Sequence, residues 1–533
     1  MGKRGVIVAM LLEYFTAGLW EGKTSIYDYI REQGEKPSGS LPDDDEFWSG
    51  SSVRWVAGGL SGMMRHLASQ DTVTGEARQL VRMLAKHTRR PRAATRKALY
   101  ALFMKEDLIG AIDTVLNEVR QCPGIQYEAL FEEAKWLARQ GAHRNAVKFG
   151  IALLGMFEHE DMEIKELLFT LGRHDEFTLY SVVAILNGLE QGNELVFELA
   201  QAVQGWGKIQ AVERLEPAHQ HIKDWLLRHG CVNQIMNEYL ACVCARKGEL
   251  HRALAAEKID SELYEGATDI IDALLCGGPA EDIYDYEYGP QALTGYVRHA
   301  ERCCKTVKHL TVLLNIGSFL SNDKDERWAE LYRAGWTLEL REHLLTACEA
   351  VISRPDWPTL ILDTLRSREP NTPEPYFCFS SAARLGMDIW DDVYTQAQLY
   401  PTEVVWYYEL MTTEQPERIH RMVKLAEHKL PLEQIASGPR EEQGFSKEYD
   451  PHRCLGIIVQ GLDKSPGTGQ PLLLSALRSP VTSNRSAALM VLEAWGPEVW
   501  SAELKSAVVA LLDEEPDEEL RQQIGELKEQ KQL

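Results

Sequence analysis

The stretch "LLLSALRSPVTSNRSAALMVLEAWG", residues 472–496, predicts a pair of helices joined by a short turn. Apolar residues recur at helical spacing on both sides of the Ser479-Pro480 break. The first set is Leu473, Leu474 and Leu477, and the second set, after Asn484, is Ala487, Ala488, Val491, Leu492 and Trp495. A helix pair of this kind has an apolar face that it cannot bury alone, so we expect it to stack on a neighbouring pair.

A second pair follows in "AVVALLDEEPDEELRQQIGELKE", residues 507–529. Pro480 precedes Arg485 by five residues and Pro516 precedes Arg521 by five, so the two copies lie 36 residues apart, the period of a two-helix repeat. Proline ends or opens a helix, and an arginine one turn into the next helix can bond the carbonyls left unpaired at the junction. The same spacing occurs at Pro91 with Arg96 and at Pro416 with Arg421.

These residues resemble HEAT repeats, in which a turn after the first helix is followed by an arginine in the second. The resemblance covers residues 472–529 and, more weakly, 80–103. The middle of the chain also alternates helical segments with short turns, and no run has strand-like alternation beside a hairpin signal. We therefore predict an all-α, HEAT-like α-solenoid of stacked helix pairs, irregular in the middle. Its expected parts are a helical-repeat body at 1–435, a linker at 436–451 and C-terminal repeats at 452–533.

The composition and charge of the chain argue against several classes of function. The 533 residues include 57 Lys and Arg against 80 Asp and Glu, a formal charge of −23, which disfavours nucleic-acid and membrane-surface binding. Glu13 interrupts the apolar run Val6–Leu12, which argues against a signal peptide. No stretch reaches the roughly 20 apolar residues that a membrane span needs. Ten scattered cysteines are typical of reduced thiols. We expect a cytoplasmic protein.

The stretch "TAGLWEGKTSIYDY", residues 16–29, contains Gly22, Lys23 and Thr24, the second half of a phosphate-binding loop. The residues before them are bulky or acidic, and the apolar run at 6–12 has helical rather than strand spacing. We interpret the match as a turn between the first two helices. A nucleotide-binding loop is the alternative.

Two Glu-x-x-His pairs have the spacing of di-iron ligands on helices: Glu216 with His219, and Glu417 with His420. The first pair requires Pro217 to lie in a first helical turn. Chance alone accounts for one or two such pairs in a chain of this composition. They are candidate metal ligands, and coincidence is the alternative.

Three further clusters each have two interpretations. A basic cluster could accept a phosphate or an acidic partner helix, or it could be a solvated turn paired with neighbouring acids. The stretch "AEDIYDYEYGPQ", residues 280–291, could be a binding surface or a solvated connection. An aromatic cluster could line an apolar pocket or fill the core between helix pairs. The basic cluster is Lys86, Arg89, Arg90, Arg92, Arg96 and Lys97, and the aromatic cluster is Trp390, Tyr394, Trp406, Tyr407 and Tyr408.

The N-terminal run "GVIVAMLLEYFTAGLWEGKTSIYDYI" and the C-terminal "SPVTSNRSAALMVLEAWG" resemble a group of Bacillus-type proteins that carry the name limonene hydroxylase. The resemblance implies oxygen-dependent hydroxylation of a small apolar monoterpene, limonene, to carveol or perillyl alcohol. Electrons would come from reduced nicotinamide or a partner reductase, and a metal or flavin would have to carry them to oxygen. The resemblance assigns no catalytic residue.

The residues by themselves favour a different class of function: a non-catalytic α-solenoid scaffold that binds a protein partner on its surface.

Overall fold

The structure, a computed structural model, describes residues 19–532 except 35–36, 38, 50–53, 62–73, 106–108 and 368–373. This part of the chain is helical and contains no β-strand, only an isolated bridge between Glu442 and Val481. The predicted all-α fold is confirmed. No helix within the described ranges is both long and apolar enough to cross a membrane. The apolar run Val6–Leu12 lies outside the described residues.

The helices are numbered in chain order. In the first half they are α1 (Ile26–Glu32), α2 (Asp44–Phe47), α3 (Thr74–Arg89), α4 (Ala93–Phe103), α5 (Ile112–Gln121), α6 (Tyr127–Gln140), α7 (Arg144–Leu154), α8 (Met162–Gly172), α9 (Asp175–Gly188), α10 (Gly192–Ala202), α11 (Gly205–Arg214), α12 (Gln220–Trp225), a π-helix (Leu226–Gly230), α13 (Glu238–Lys247), α14 (Leu250–Ala255), α15 (Ser261–Cys276) and α16 (Gly289–Cys303).

In the second half they are α17 (Val307–Ser321), α18 (Trp328–Arg333), α19 (Leu338–Ile352), α20 (Trp357–Ser367), α21 (Glu374–Arg384), α22 (Trp390–Leu399), α23 (Val404–Leu410), α24 (Pro416–Lys429), α25 (Leu432–Ile435), α26 (Asp450–Gln460), α27 (Gln470–Leu477), α28 (Thr482–Ala494), α29 (Ala502–Glu514) and α30 (Glu518–Lys531), with 3-10 turns at Lys447–Tyr449 and Pro497–Val499.

The chain forms two compact units, Met1–His299 with Asp323–Arg341, and Ala300–Asn322 with Glu342–Leu533. In the first unit, α6 pairs with α7, α8 with α9, and α10 with α11, and the second helices α7, α9, α11 and α13 stack in order. The helices α7, α9 and α11 each start after a residue with extended backbone, at His143, His174 and Gln204, which are 31 and 30 residues apart. This solenoid-like stacking buries α7, α9 and α11 on most of their faces.

The two histidines cap their helices in the same way. His143 Nδ1 accepts a bond from the Asn145 backbone N–H and His174 Nδ1 accepts one from that of Glu176, both at 3.2 Å. Such caps satisfy backbone donors that have no partner within the helix. The helix–turn–helix pattern of this region was predicted from the sequence, but the spacing of 30–31 residues between its turns was not.

The described residues between 26 and 59, which we call the N-terminal segment, contact the starts of α7 and α9. The Ile26 N–H donates to the Gly141 carbonyl, and the Gly58 N–H donates to Glu176 Oε2 at 3.1 Å. Gly58 has φ +72°, and a Cβ there would lie 2.7 Å from the Asp175 carbonyl oxygen, so only glycine fits. The segment covers polar helix starts that would otherwise face solvent.

In the second unit, one layer contains α17, α21, α23, α26, α28 and α30, and the other contains α20, α22, α24, α25, α27 and α29. The Pro–Arg repeat lies at the turns between these layers. Arg485 Nη1 donates to the carbonyls of Ser479 and Pro480 at 2.8 and 3.1 Å, and Arg521 Nε donates to the carbonyl of Glu515 at 3.0 Å. The expected bonding of junction carbonyls is therefore confirmed in both C-terminal copies.

The other two Pro–Arg pairs differ. Arg96 binds the carboxylate of Glu133, and Arg421 binds that of Asp391 at 2.8 Å. Pro416 is the first residue of α24, so the arginine that follows lies in the same helix as the proline and has no junction carbonyl within reach. The spacing alone does not identify the HEAT-like turn.

The stretch expected to be a linker, 436–451, is non-helical from 436 to 446 and leads through a 3-10 turn into α26. It packs on the α27–α28 turn, where the Gly438 N–H donates to the Arg478 carbonyl and the Glu442 N–H to that of Pro480. The division into body, linker and C-terminal repeats stays a prediction.

Candidate functional site

Gly22, Lys23 and Thr24 form a turn that leads into α1. The Lys23 N–H donates to the Trp20 carbonyl, Gly22 has φ +75°, and Ser25 caps the helix. Lys23 Nζ donates to Glu46 Oε2 at 2.6 Å. The lysine that would reach a phosphate is thus neutralised by a carboxylate, and the described residues before it contain no strand.

The candidate iron ligands lie on the surface. Glu216 is in the non-helical connection between α11 and α12, and His219 precedes α12, so this pair does not share a helix face. His219 Nε2 lies instead 3.4 Å from Glu194 Oε1. Glu417 and His420 do lie one turn apart on α24, and both are exposed.

Within the described ranges, no group of three or more His, Cys, Asp or Glu side chains is arranged to hold a metal ion. The four candidate ligands therefore stay a prediction. The cysteines offer no alternative: burial raises the pKa of Cys242 and that of Cys244 to about 12, so both stay protonated thiols at neutral pH.

The aromatic cluster belongs largely to the core. Trp406 and Tyr407 are fully buried, and the buried Trp390 stacks on Tyr394 with ring centroids 5.2 Å apart. The Arg421 guanidinium lies over both of those rings. These side chains fill the space between helices, as the second interpretation held.

The acidic, tyrosine-rich stretch at 280–291 is tied to its neighbours. Arg246 Nε donates to Glu287 Oε2 at 2.8 Å, and the Arg327 guanidinium lies 3.5 Å from the centre of the Tyr284 ring. Tyr288 stacks on His251. The stretch is a bonded connection between α15 and α16.

A different surface has the features of a binding site. Two distant segments that expose large apolar side chains, residues 55–59 and 231–237, both contact the start of α11. Gly59 lies next to both Val56 and the Trp206 ring, which is 5.3 Å from the Tyr239 ring. We define the Trp206 surface as Trp55, Val56, Trp206, Val232, Ile235, Met236 and Tyr239.

The loop 231–237 of this surface is held rigidly. Asn233 is completely buried, its amide nitrogen donates to the carbonyls of Cys231 and Met236, and its amide oxygen accepts from the N–H groups of Ile235 and Met236, all at 2.9–3.1 Å. Gln234 has φ +70°, an unfavourable conformation for a residue with a side chain. The Gly205 N–H donates to the Asn233 carbonyl and ties the loop to α11.

Three of the four exposed residues of this rigid loop are apolar. Val232, Ile235 and Met236 are each about 40% exposed, and Val56 in the other segment is 65% exposed. Neighbouring exposed apolar residues of this kind mark interaction sites more often than isolated ones do. Sequence patterns did not single out this surface, because its parts are about 180 residues apart and none has a local motif.

Asp175, the first residue of α9, lies against the start of α11. Its carboxylate accepts bonds from the backbone N–H groups of Trp206 and Gly207, and burial outweighs these bonds and raises its pKa to about 7. A carboxylate with a raised pKa stabilises the fold below pH 4, and this stabilisation is lost as pH rises through about 7.

We therefore expect the free energy of unfolding of the first unit to fall between pH 5 and pH 8, and to fall less in Asp175→Asn, which cannot ionise. Urea unfolding of both proteins across this range, followed by hydrogen exchange in α9 and α11, measures the difference. Equal pH slopes in the two proteins would contradict the assignment.

No protein-family model, curated protein or solved structure matches this chain. Function must accordingly be inferred from the side chains themselves.

Proposed function

We propose that this protein is a non-catalytic helical-repeat scaffold that binds a protein partner through the Trp206 surface. The observation that carries the proposal is the loop 231–237, whose buried Asn233 holds three apolar side chains in solvent. A stretch that served folding alone would turn these side chains inward, because burying each would stabilise the fold by roughly 1.5–3 kcal/mol.

Rigidity supports a binding role. Association costs the entropy of ordering loops and side chains, and a loop already fixed by four hydrogen bonds to Asn233 avoids most of that cost. Met236 adds an unbranched, polarisable side chain that adapts to different partner surfaces. The Trp206 and Tyr239 rings pack against each other with centroids 5.3 Å apart.

The test places a photoreactive amino acid at Val232 in the full chain and identifies its adducts in the source cells by mass spectrometry. We expect one dominant protein adduct, lost when Ile235→Asp is also present. The matched control carries the photoreactive residue at Met490, which is 66% exposed in the second unit. No adduct at Val232, or the same adducts at both positions, would contradict the proposal.

Monoterpene hydroxylation, implied by the resemblance, stays a prediction and is tested separately. Oxygen does not insert into a C–H bond without a metal or flavin. Metal and flavin analysis of untagged protein, followed by incubation with limonene, oxygen and reduced nicotinamide, would reveal such chemistry. A stoichiometric redox centre with alcohol product would replace the scaffold proposal with an enzymatic one.

A further inference from the structure

The basic cluster around the α3–α4 turn divides into two groups. Arg96 Nε and Nη2 donate to the buried Glu133 carboxylate at 2.6–3.0 Å, and its guanidinium lies 4.4 Å from the Trp136 ring centre. Arg89 Nε donates to the Gly124 carbonyl. These two arginines serve the packing of α3 and α4 on α6.

The second group faces solvent. Lys86, Arg90 and Arg92 are exposed, as is Arg82 one turn earlier on α3, and none of the four side chains has a hydrogen-bond or ion-pair partner among the described residues. We define the basic surface as these four residues. Arg82 and Lys86 lie one turn apart on α3, about 6 Å along the helix axis, and Arg90 directly follows the last residue of α3.

Several arginines elsewhere in the described part of the chain are paired with an acid: Arg228 binds Asp260, Arg418 binds Asp388, and Arg366 binds Asp392. With 80 acidic residues against 57 basic ones, neutralising carboxylates are abundant. Four neighbouring cations without one repel each other, which costs some stability.

The dipoles of α3 and α4 explain the positions of only some of these cations. Lys86 lies in the last turn of α3, where a cation is favourable. Arg92 is the residue before α4, whose first turn contains no acid and where a positive charge is unfavourable. The position of Arg92 is therefore explained by an external anion better than by folding.

The same helix face already binds a carboxylate. Arg78, one turn before Arg82, lies 3.7 Å from Glu118 of the neighbouring helix α5. A carboxylate on an adjacent peptide can thus reach this row of cations, and the row continues beyond the acid that α5 supplies.

We propose that the basic surface binds an acidic segment of a protein partner, with carboxylates spaced to meet Arg82, Lys86, Arg90 and Arg92. The segment is a peptide rather than a nucleic acid, because the net charge of −23 repels a long polyanion while a short peptide contacts only the local cations. This is a second surface, distinct from the Trp206 surface, and it does not depend on the proposal made for that one.

The test measures binding of a fluorescein-labelled oligoglutamate peptide to the full chain by anisotropy. We expect saturable binding that weakens with added salt, and about tenfold weaker binding in Arg90→Gln/Arg92→Gln, because each exposed charge pair contributes modestly. The control Lys424→Gln/Lys429→Gln removes two exposed charges from α24 and should bind like the parent protein.

The remaining outcomes overturn the proposal. These are absence of peptide binding, equal losses in the two double variants, or tighter binding of an oligothymidylate than of the peptide. The last result would identify a nucleic-acid surface instead. Because both pairs of substitutions lie at exposed positions without bonded partners, circular dichroism should show an unchanged fold in each variant.

Discussion

Replacing Glu515 with alanine is expected to destabilise helices α28–α30 by about 3–5 kcal/mol. Arg485 Nε and Nη2 donate to the two Glu515 oxygens at 2.7 and 2.6 Å, and both side chains are completely buried. Without the carboxylate, a guanidinium that cannot reach water keeps only the carbonyls of Ser479 and Pro480 as partners. The cost comes from the uncompensated buried charge rather than from the lost bonds alone.

The measurement is hydrogen exchange in α28–α30 together with urea unfolding of the full chain. Removing both charges, in Arg485→Met/Glu515→Leu, should restore most of the stability, since a buried pair can be replaced by apolar groups at little cost. Glu414→Ala breaks an exposed pair with Lys464 and should cost less than about 1 kcal/mol. If Glu515→Ala costs no more than Glu414→Ala, the buried pair does not stabilise these repeats.

Asp43→Ala is expected to have an effect of similar size, about 3–5 kcal/mol, in the first unit. Asp43 accepts bonds from the Arg144 backbone N–H at 2.8 Å and from its Nε and Nη2 at 3.2 and 3.0 Å, and both side chains are buried. The Arg144 guanidinium also lies 4.2 Å from the Phe47 ring centre. The substitution therefore leaves an unpaired backbone donor at the start of α7 and leaves the buried Arg144 guanidinium with Asp44 as its remaining carboxylate partner.

The neighbouring Asp45 provides the control for this substitution. Its side chain is 99% exposed and its only ion pair, with Arg54, is 3.4 Å long, so Asp45→Ala should change stability by less than about 1 kcal/mol. Hydrogen exchange at α7 and at residues 41–47 should rise in Asp43→Ala and stay at the parent level in Asp45→Ala. Equal exchange in the two variants would show that the N-terminal segment does not depend on this pair.

The sequence predicted which kinds of residue cluster are present, but not where their side chains lie in the structure. A basic cluster was evident from Lys86 to Lys97, yet which of its members are exposed depends on Glu133, a residue 37 positions after Arg96. The aromatic cluster was correctly given a core interpretation as an alternative to a pocket. The sequence contained no signal for the Trp206 surface, because residues 55–59 and 231–237 are far apart in the chain and meet the start of α11 only in the folded structure.

The sequence by itself determined the helices, the turns between them and the Arg485 and Arg521 junctions. Helices and turns depend on the spacing of apolar residues, and each junction hydrogen bond joins groups within about six residues of each other. The local sequence is therefore sufficient to specify these features. Tertiary structure alone decided which acid neutralises each buried arginine, with Glu515 and Asp43 lying 30 and 101 residues from their partners. The physical reason is that burial removes the water that would otherwise solvate a charge, so its partner is selected by the packing of distant helices.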